Sequence, residues 1–279
     1  MTPDARSAPH ATAVLGLGEA GTEIAVGLVA AGAIVRGFDP NPSAFPLGVE
    51  ERTSEADAVH DADMVISLTS AANAEAALQA SILSLRPGTL WVEANTAAPA
   101  LKSRLSELAS TAGADLVDAA IMAPVAGLGL GVPMAVSGSA AMRFISAMAN
   151  FGVSVEHVAG PVGSASSRKL LRSIVVKGLT AALIEATAGA RAAGCEDWLG
   201  QHLATELFPL EYATVERLIL GSYRHAARRA DEMDAAAQQL RDLAVTNNIA
   251  VATADLLRGV AADAPTFSRG SRDGESEAK

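Results

Sequence analysis

The stretch Ala11-Thr-Ala-Val-Leu-Gly-Leu-Gly-Glu-Ala-Gly-Thr22 runs from a short apolar segment straight into Gly16, Gly18 and Gly21 at G-x-G-x-x-G spacing. Such a turn accommodates a dinucleotide because each glycine has its own task. The first makes the tight strand-to-helix turn, the second lets the backbone approach a pyrophosphate, and the third lets the helix pack close to the sheet. The N–H groups that open the following helix then face the phosphates, so Gly16, Leu17, Gly18, Glu19, Ala20 and Gly21 are the candidate phosphate-binding residues. A glycine-rich turn without a ligand is the other reading of the bare pattern, and the residues downstream weigh against it. Ile24, Leu28 and Ala31 recur at helical spacing up to Gly32, and Ala33-Ile-Val-Arg-Gly-Phe38 reads as the second strand of a βαβ unit. Asp39 ends that strand about twenty residues past the first glycine, where a carboxylate can accept hydrogen bonds from the adenosine ribose hydroxyls and repel a 2′-phosphate. Its other reading is a turn-forming Asp before Pro40. NAD is therefore the expected cofactor. NADP is the alternative, since Arg36 lies nearby, although its place within the second strand directs it away from the ribose.

The 279 residues suffice for two domains, and half of them are apolar with few aromatics. The apolar excess is largely alanine, which suits closely packed helices without implying a membrane. Ile174 to Ile184 carries Lys177, and Ile66 to Leu85 carries Asn73 and Glu75, so neither resembles a membrane span. Asp4, Arg6 and His10 precede the first strand with no apolar signal-like run, so no secretory signal is expected. A net charge of −10 and the lack of a basic cluster interleaved with aromatics argue against a nucleic-acid surface. Cys195 is the only cysteine, which excludes an intrachain disulfide and fits a reducing, cytoplasmic setting. No H-x-x-H, C-x-x-C or H-E-x-x-H pattern supports a metal site.

Alternation of strand and helix continues after the first βαβ unit. Ser54 to His60 reads as a capped short helix, Met64 to Leu68 as a strand, Asn73 to Leu85 as a helix, Thr89 to Glu93 as a strand and Pro99 to Gly113 as a helix. Strands at Leu116 to Ile121, Pro133 to Ser137 and Val153 to Glu156, with a helix at Ala140 to Phe151, complete a Rossmann-type α/β domain built on a doubly wound parallel sheet over 11–160. Strand signals then cease, and 161–265 reads as an all-α domain. Residues 1–10 and 266–279 are expected to be flexible ends.

The helix expected from Ser164 to Ala193 is apolar on almost every side around Leu170 to Ile184, so it should be buried. Lys169, Ser173 and Lys177 nevertheless recur every four residues, with Arg172 beside them. Buried cations are costly, and such a stripe facing a nucleotide domain suggests an anion site. Snorkelling to solvent is the other reading for Lys169 and Arg172, and pairing with Glu185 or with a partner subunit is the other reading for Lys177. His225, Arg228 and Arg229, with Asp231, Glu232 and Asp234 nearby, read first as a solvated or salt-bridged helix and second as a further anion contact.

Together these segments resemble the β-hydroxyacid dehydrogenase superfamily, which includes 6-phosphogluconate and 3-hydroxyisobutyrate dehydrogenases. Gly16-Leu-Gly-Glu-Ala-Gly21 with Phe38-Asp39-Pro40 is close to the family's G-L-G-x-M-G and its acidic strand end. Glu93-Ala-Asn-Thr-Ala-Ala-Pro99 is similar to D-x-S-T-x-x-P, Asp118-Ala-Ala-Ile-Met-Ala-Pro124 to D-A-P-V-S-G-G, and Gly160-Pro-Val-Gly-Ser-Ala-Ser-Ser-Arg-Lys169 to G-x-x-G-x-G-x-x-x-K. The region around Lys169 to Gly178 and Arg224 to Met233 resembles a phosphogluconate-dehydrogenase-like branch with its own helical C-terminal domain.

The resemblance implies hydride transfer between a nicotinamide and a hydroxyl-bearing carbon, with Lys169 as general base or acid. It places Thr96 near the nicotinamide, with Asn95 and Thr69 among the cofactor-binding residues, and it implies a homodimer. Burial, Arg172 and a positive nicotinamide would each disfavour the ammonium of Lys169. Arg172 would grip a carboxylate, phosphate or phosphonate, and Ser173 the substrate oxygen. Met122, Ala123 and Pro124 stand where the parent pattern has its substrate-binding Ser-Gly-Gly, so the acid pocket is rebuilt and the parent substrates do not carry over. The expected substrate is a small anionic hydroxy acid. An imine reductase is the enzymatic alternative, against which the retained lysine counts, and a catalytically silent dinucleotide-binding protein is a third reading.

Overall fold

The structure, a computed structural model, describes residues 11–42, 44–206 and 212–262. The ends read above as flexible, 1–10 and 266–279, lie outside the described residues. The chain forms two compact units, Met1–Ile174 and Val175–Lys279, with the division inside one long helix.

The first unit runs β1 (Thr12–Leu15), α1 (Glu19–Ala30), β2 (Val35–Phe38), β3 (Glu50–Glu51), α2 (Glu55–Val59), β4 (Met64–Ser67), α3 (Ala74–Ser81), β5 (Leu90–Glu93), α4 (Pro99–Thr111), β6 (Asp115–Ile121), β7 (Met134–Ser137), α5 (Ala141–Ala149) and β8 (Glu156–His157). Strands β1, β4, β5 and β7 are buried along their whole length, as expected of apolar strands covered on both faces. The sheet order is β3-β2-β1-β4-β5-β6-β7-β8, so the winding reverses between β1 and β4, where open α/β sheets bind their ligands. One face of the sheet packs Ile24, Leu28, Phe144 and Met148 from α1 and α5. The other packs Val59, Leu78, Leu105 and Ala109 from α2, α3 and α4 around Trp91.

Two features depart from the sequence reading. The two-residue strand β3 lengthens the sheet beyond β2. Strand β7 pairs antiparallel with β6, whereas the neighbouring strand pairs are parallel. A parallel return needs a crossover, usually a full helix. The segment between β6 and β7 holds only a 3-10 turn at Gly129–Gly131, so the chain folds back beside β6.

The three glycines of the opening turn meet three different constraints. Gly16 has φ +90°, and a Cβ there would lie 2.5 Å from the Leu68 carbonyl oxygen. A Cβ on Gly21 would lie 1.8 Å from the Gly16 oxygen, which shows how closely α1 packs on the turn. A Cβ on Gly18 would meet nothing within 4 Å, so the backbone there faces open space.

Helix α6 (Ser164–Ala192) carries the division between the units, and α7 (Glu196–Glu206), α8 (Tyr212–Arg224), α9 (Ala226–Asp242) and α10 (Asn248–Ala262) follow it. Alanines make the close contacts of the second unit. Ala190, Ala230, Ala237, Ala250 and Ala254 are buried, and a Cβ on Gly189 would lie 2.5 Å from the Leu240 side chain. The Glu185 carboxylate accepts from the backbone N–H groups of Ile249 and Ala250, each at 2.8 Å. It satisfies backbone donors at the start of α10. The side chain of Lys177 lies outside the described residues. In the single chain Leu171, Val175 and Ile184 of α6 are 62%, 68% and 67% exposed, so cover for these residues has to come from outside the chain.

The glycine geometry separates packing from access. Gly21→Ala should destabilise the fold by about 1–3 kcal/mol, since backbone must shift to admit the methyl. Gly18→Ala should stay within about 1 kcal/mol of the parent. Urea titrations read both through the midpoint at constant slope, and equal losses would contradict the packing described.

Candidate functional site

The register of the sheet brings one polar residue from each of four strands into line. Ser67 of β4, Glu93 of β5, Asp118 of β6 and Ser137 of β7 are successive register partners, and all four are fully buried. They lie on the α4 side of the sheet, where apolar Trp91 and Leu116 precede them two residues earlier on β5 and β6. A polar row in such a place needs a partner, and α4 supplies it. Lys102 is itself fully buried. Its Nζ lies 3.2 Å from Asp118 Oδ1 and 3.9 Å from Glu93 Oε1, and donates to the Glu93 carbonyl oxygen at 2.5 Å.

Each carboxylate then organises a different neighbour. Glu93 Oε1 accepts from the backbone N–H of Asn95 at 3.2 Å and from its amide nitrogen at 2.7 Å. That amide also donates to Ser67 Oγ and Thr69 Oγ1. Asp118 reaches the start of α6. Its Oδ2 accepts from Ser137 Oγ, Gly163 N and Ser166 N at 3.0, 3.0 and 2.9 Å, and its Oδ1 accepts from Ser166 Oγ. Ser137 Oγ accepts in turn from Ala165 N. Burial pushes the Asp118 carboxyl up, but the Lys102 charge and the hydrogen bonds from Ser166 and Ser137 outweigh it and hold the group below its ordinary value.

At the sheet's switch point, Asp39 follows β2 and folds back onto the glycine turn. Its Oδ2 accepts from Leu17 N at 2.7 Å and its Oδ1 from Asn41 N at 2.8 Å. Arg36 turns elsewhere, donating to the His60 carbonyl and lying 3.6 Å from Glu50. Helix α1 starts after Gly18 without a side-chain cap, leaving its first turn available to an anion. A cleft of about 320 Å³ opens there, lined by Leu17, Gly18, Glu19, Thr22, Glu23 and Ala44. The open space over Gly18 and the uncapped helix fit a dinucleotide pyrophosphate.

The other expected site residues are distributed as follows. Asn95 is buried, Thr69 half-buried and Thr96 exposed at the end of β5; Met122 and Ala123 are half-buried and Pro124 exposed after β6. Lys169 is half-buried one turn beyond Ser166, Ser173 is half-buried, and Arg172 is exposed. His225 is exposed, Arg229 donates to Ser222 Oγ, and Asp234 pairs with Arg258; the side chains of Arg228, Asp231 and Glu232 lie outside the described residues. No group of metal-ligating side chains occurs among the described residues. Sequence reasoning missed Lys102, Ser137 and Ser166. Lys102 had a usable signal, because it shares the buried face of α4 with Leu105 and Ala109 at i+3 and i+7.

This geometry defines a class: a dinucleotide-binding α/β domain in which the first turn of α6 is held on the sheet by Asp118. Residues 11–150 match the family described as the NAD binding domain of 6-phosphogluconate dehydrogenase, and residues 190–260 match a domain of unknown function, DUF1932. The chain belongs to the β-hydroxyacid dehydrogenase superfamily and carries its NAD-binding domain. It is 30% identical over 206 residues, 70% of this chain and 67% of the relative, to a Pseudomonas aeruginosa protein named NAD-dependent L-serine dehydrogenase. It is 33% identical over 120 residues to a Mycobacterium tuberculosis protein named probable 3-hydroxyisobutyrate dehydrogenase, a match that spans 41% of each chain. In fold it is similar to an imine reductase variant from Myxococcus stipitatus in complex with NAD+, with a TM-score of 0.74 at 20% identity over 91% of this chain and 93% of that one.

The Asp118 environment has a consequence for acid stability. A carboxyl held low when folded stabilises the protein above its unfolded pKa, and that contribution disappears as pH falls through the lower folded value. Asp118→Asn should therefore destabilise the protein at neutral pH by about 1–3 kcal/mol, by removing the nearer of the two carboxylates beside the buried Lys102. It should also flatten the loss of stability below about pH 4. Urea midpoints measured from pH 7 to pH 3 test both effects; parallel curves for parent and variant would contradict them.

Proposed function

We propose that the protein is an NAD(H)-dependent dehydrogenase or reductase acting on the hydroxyl-bearing carbon of a small anionic hydroxy acid. The observation that carries the reading is the Asp118 anchor. It ties the first turn of α6 to β6, and Lys169 follows one turn later, at the edge where sheets of this kind bind nicotinamide cofactors. When bound, the cofactor supplies a hydride acceptor or donor.

In the oxidation direction Lys169 Nζ takes the hydroxyl proton as the carbinol carbon loses its hydride; in reduction it returns that proton. Arg172 holds the acid group through its planar fork and Ser173 the substrate oxygen, so the reacting carbon is oriented before the transition state. Met122, Ala123 and Pro124 bound the substrate. Gly16 to Gly21 hold the pyrophosphate and Asp39 the adenosine ribose, with Thr69, Asn95 and Thr96 towards the nicotinamide. Asp39 favours NAD over NADP by repelling an added phosphate, and Arg36, occupied with His60 and Glu50, leaves that repulsion unopposed. The single cysteine supports a cytoplasmic setting; no described helix is long and apolar enough to cross a membrane.

The test is a panel of hydroxy acids, beginning with 3-hydroxyisobutyrate and L-serine because relatives are named for them, and including phosphate- and phosphonate-bearing acids and a cyclic imine. On the best substrate Lys169→Ala should lower turnover by about 10² to 10⁴ while leaving NADH affinity unchanged, and Arg172→Ala should act mainly on KM. Asp39→Ala should narrow the gap between NAD and NADP. Near-normal turnover by Lys169→Ala would overturn the mechanism, and activity confined to the imine would replace the substrate class.

The exposed apolar residues of α6 support a homodimer, since Leu171, Val175 and Ile184 need cover. Sedimentation at micromolar concentration should show twice the 28.3 kDa chain mass. A stable monomer would count against it.

A further inference from the structure

Three features stand apart from the roles assigned above: the fully buried Lys102 with its carboxylates, the exposed apolar face of α6, and the stacked Trp198 and His202 on α7. The last two show nothing of what would cover them beyond a second copy of the chain. Lys102 touches both sides of the proposed reaction. Its ammonium lies between Glu93, which ends β5, and Asp118, midway along β6, and each of these carboxylates has a separate task. Glu93 fixes Asn95 through two hydrogen bonds. Asp118 fixes Gly163 and Ser166 at the start of the helix that bears Lys169.

We propose that Lys102 is a positioning residue for the reaction, holding Glu93 and Asp118 as paired acceptors and thereby fixing Asn95 on the cofactor side and the first turn of α6 on the acid–base side. The catalytic half of this rests on the role given to Lys169; the two tethers themselves do not. The physical case is that one fully buried ammonium lies within 4 Å of both buried carboxylates, 3.2 Å from Asp118 Oδ1 and 3.9 Å from Glu93 Oε1. A buried ion pair is retained at a desolvation cost that an apolar pair of similar volume avoids, and here the pair spans two elements with different duties. A helix whose first turn is held by one carboxylate loses its register on the sheet when that carboxylate loses its counter-charge. Misplacement by about 1 Å costs about 10²-fold in rate.

Branch-specific variants distinguish positioning from bulk stability. The full-length parent, Lys102→Met, Ser166→Ala and Lys169→Ala are compared well below their melting temperatures, using kcat, the NADH dissociation constant, and amide hydrogen exchange at Gly163 and Ser166. Ser166→Ala cuts only the α6 branch; it should lower kcat about 10-fold, raise exchange at Gly163, and leave NADH binding unchanged. Lys102→Met cuts both branches; it should lower kcat about 10²-fold, weaken NADH binding about 10-fold, and raise exchange at both amides.

A folded Lys102→Met with parental kcat, NADH affinity and amide protection overturns the proposal. If Lys102→Met does not fold, Ser166→Ala decides: a lowered kcat with unchanged NADH binding supports it, and a parental kcat overturns it. If Lys169→Ala keeps normal turnover, the reading of Lys169 fails by itself. Hydrogen exchange and NADH binding in Lys102→Met then still decide whether Lys102 holds the two tethers.

Discussion

One buried ammonium, on Lys102, stands between two buried carboxylates, and the carboxyl edge of the sheet is organised around it. Removing two carboxylates from water costs several kcal/mol for each ion. That cost is offset only when every lone pair finds a donor and the charge finds a partner. Asp118 comes close to this condition: Lys102, Ser137, Ser166 and the Gly163 and Ser166 amides surround it. Such a network tolerates little displacement, because a partly satisfied buried network is worse than an apolar one. The end of β5, the middle of β6, the Asn95 amide and the first turn of α6 are therefore fixed together rather than one by one.

The phosphate-binding half of the domain is built on a different principle. Around Gly16 and Gly21 the constraint is steric: backbone lies so close to backbone that no side chain fits. Electrostatics enters only through Asp39, whose carboxylate holds the Leu17 amide and thereby ties the end of β2 to the turn after β1. The same carboxylate is the proposed ribose contact, and its two oxygens have acceptor capacity beyond the bonds to Leu17 and Asn41. Pre-fixed by the turn it reads, Asp39 would meet the ribose without losing side-chain freedom on binding.

The elements that sequence revealed are those written in local pattern. The glycine spacing, the Ser54 cap of α2, and the apolar runs of β1, β4 and β5 each follow from neighbours along the chain, and the structure has them nearly where periodicity puts them. What escaped is non-local. Lys102 shares the apolar face of α4 with Leu105 and Ala109, but the reason for a lysine there emerges only when Glu93 and Asp118 are brought beneath it, and Glu93 and Asp118 could be quoted as motif positions without any partner in view. Strand β7 kept its place but not its direction, because direction depends on whether the preceding connection crosses over the sheet, and that connection carries no strong helical period. In the second unit, the Glu185 carboxylate accepts from a helix start some sixty residues downstream, a contact that spacing along α6 does not reveal.

Helix α6 shows how these two scales meet at the candidate site. Its first turn contains no acidic residue, although the positive end of a helix favours negative charge. Asp118 supplies that charge from β6, buried and fully engaged. Arg168, Lys169 and Arg172 then follow in succession, and Glu156 lies 3.5 Å from Arg168. The helix start thus pairs a sequestered carboxylate on the sheet side with cations at its more accessible positions. An acidic residue within the first turn would have stabilised the helix equally well, but it would have stood beside Lys169 and Arg172 and repelled an incoming acid. Placing the compensating charge on a neighbouring strand keeps the helix start stable while leaving its local field suited to the proposed anionic substrate.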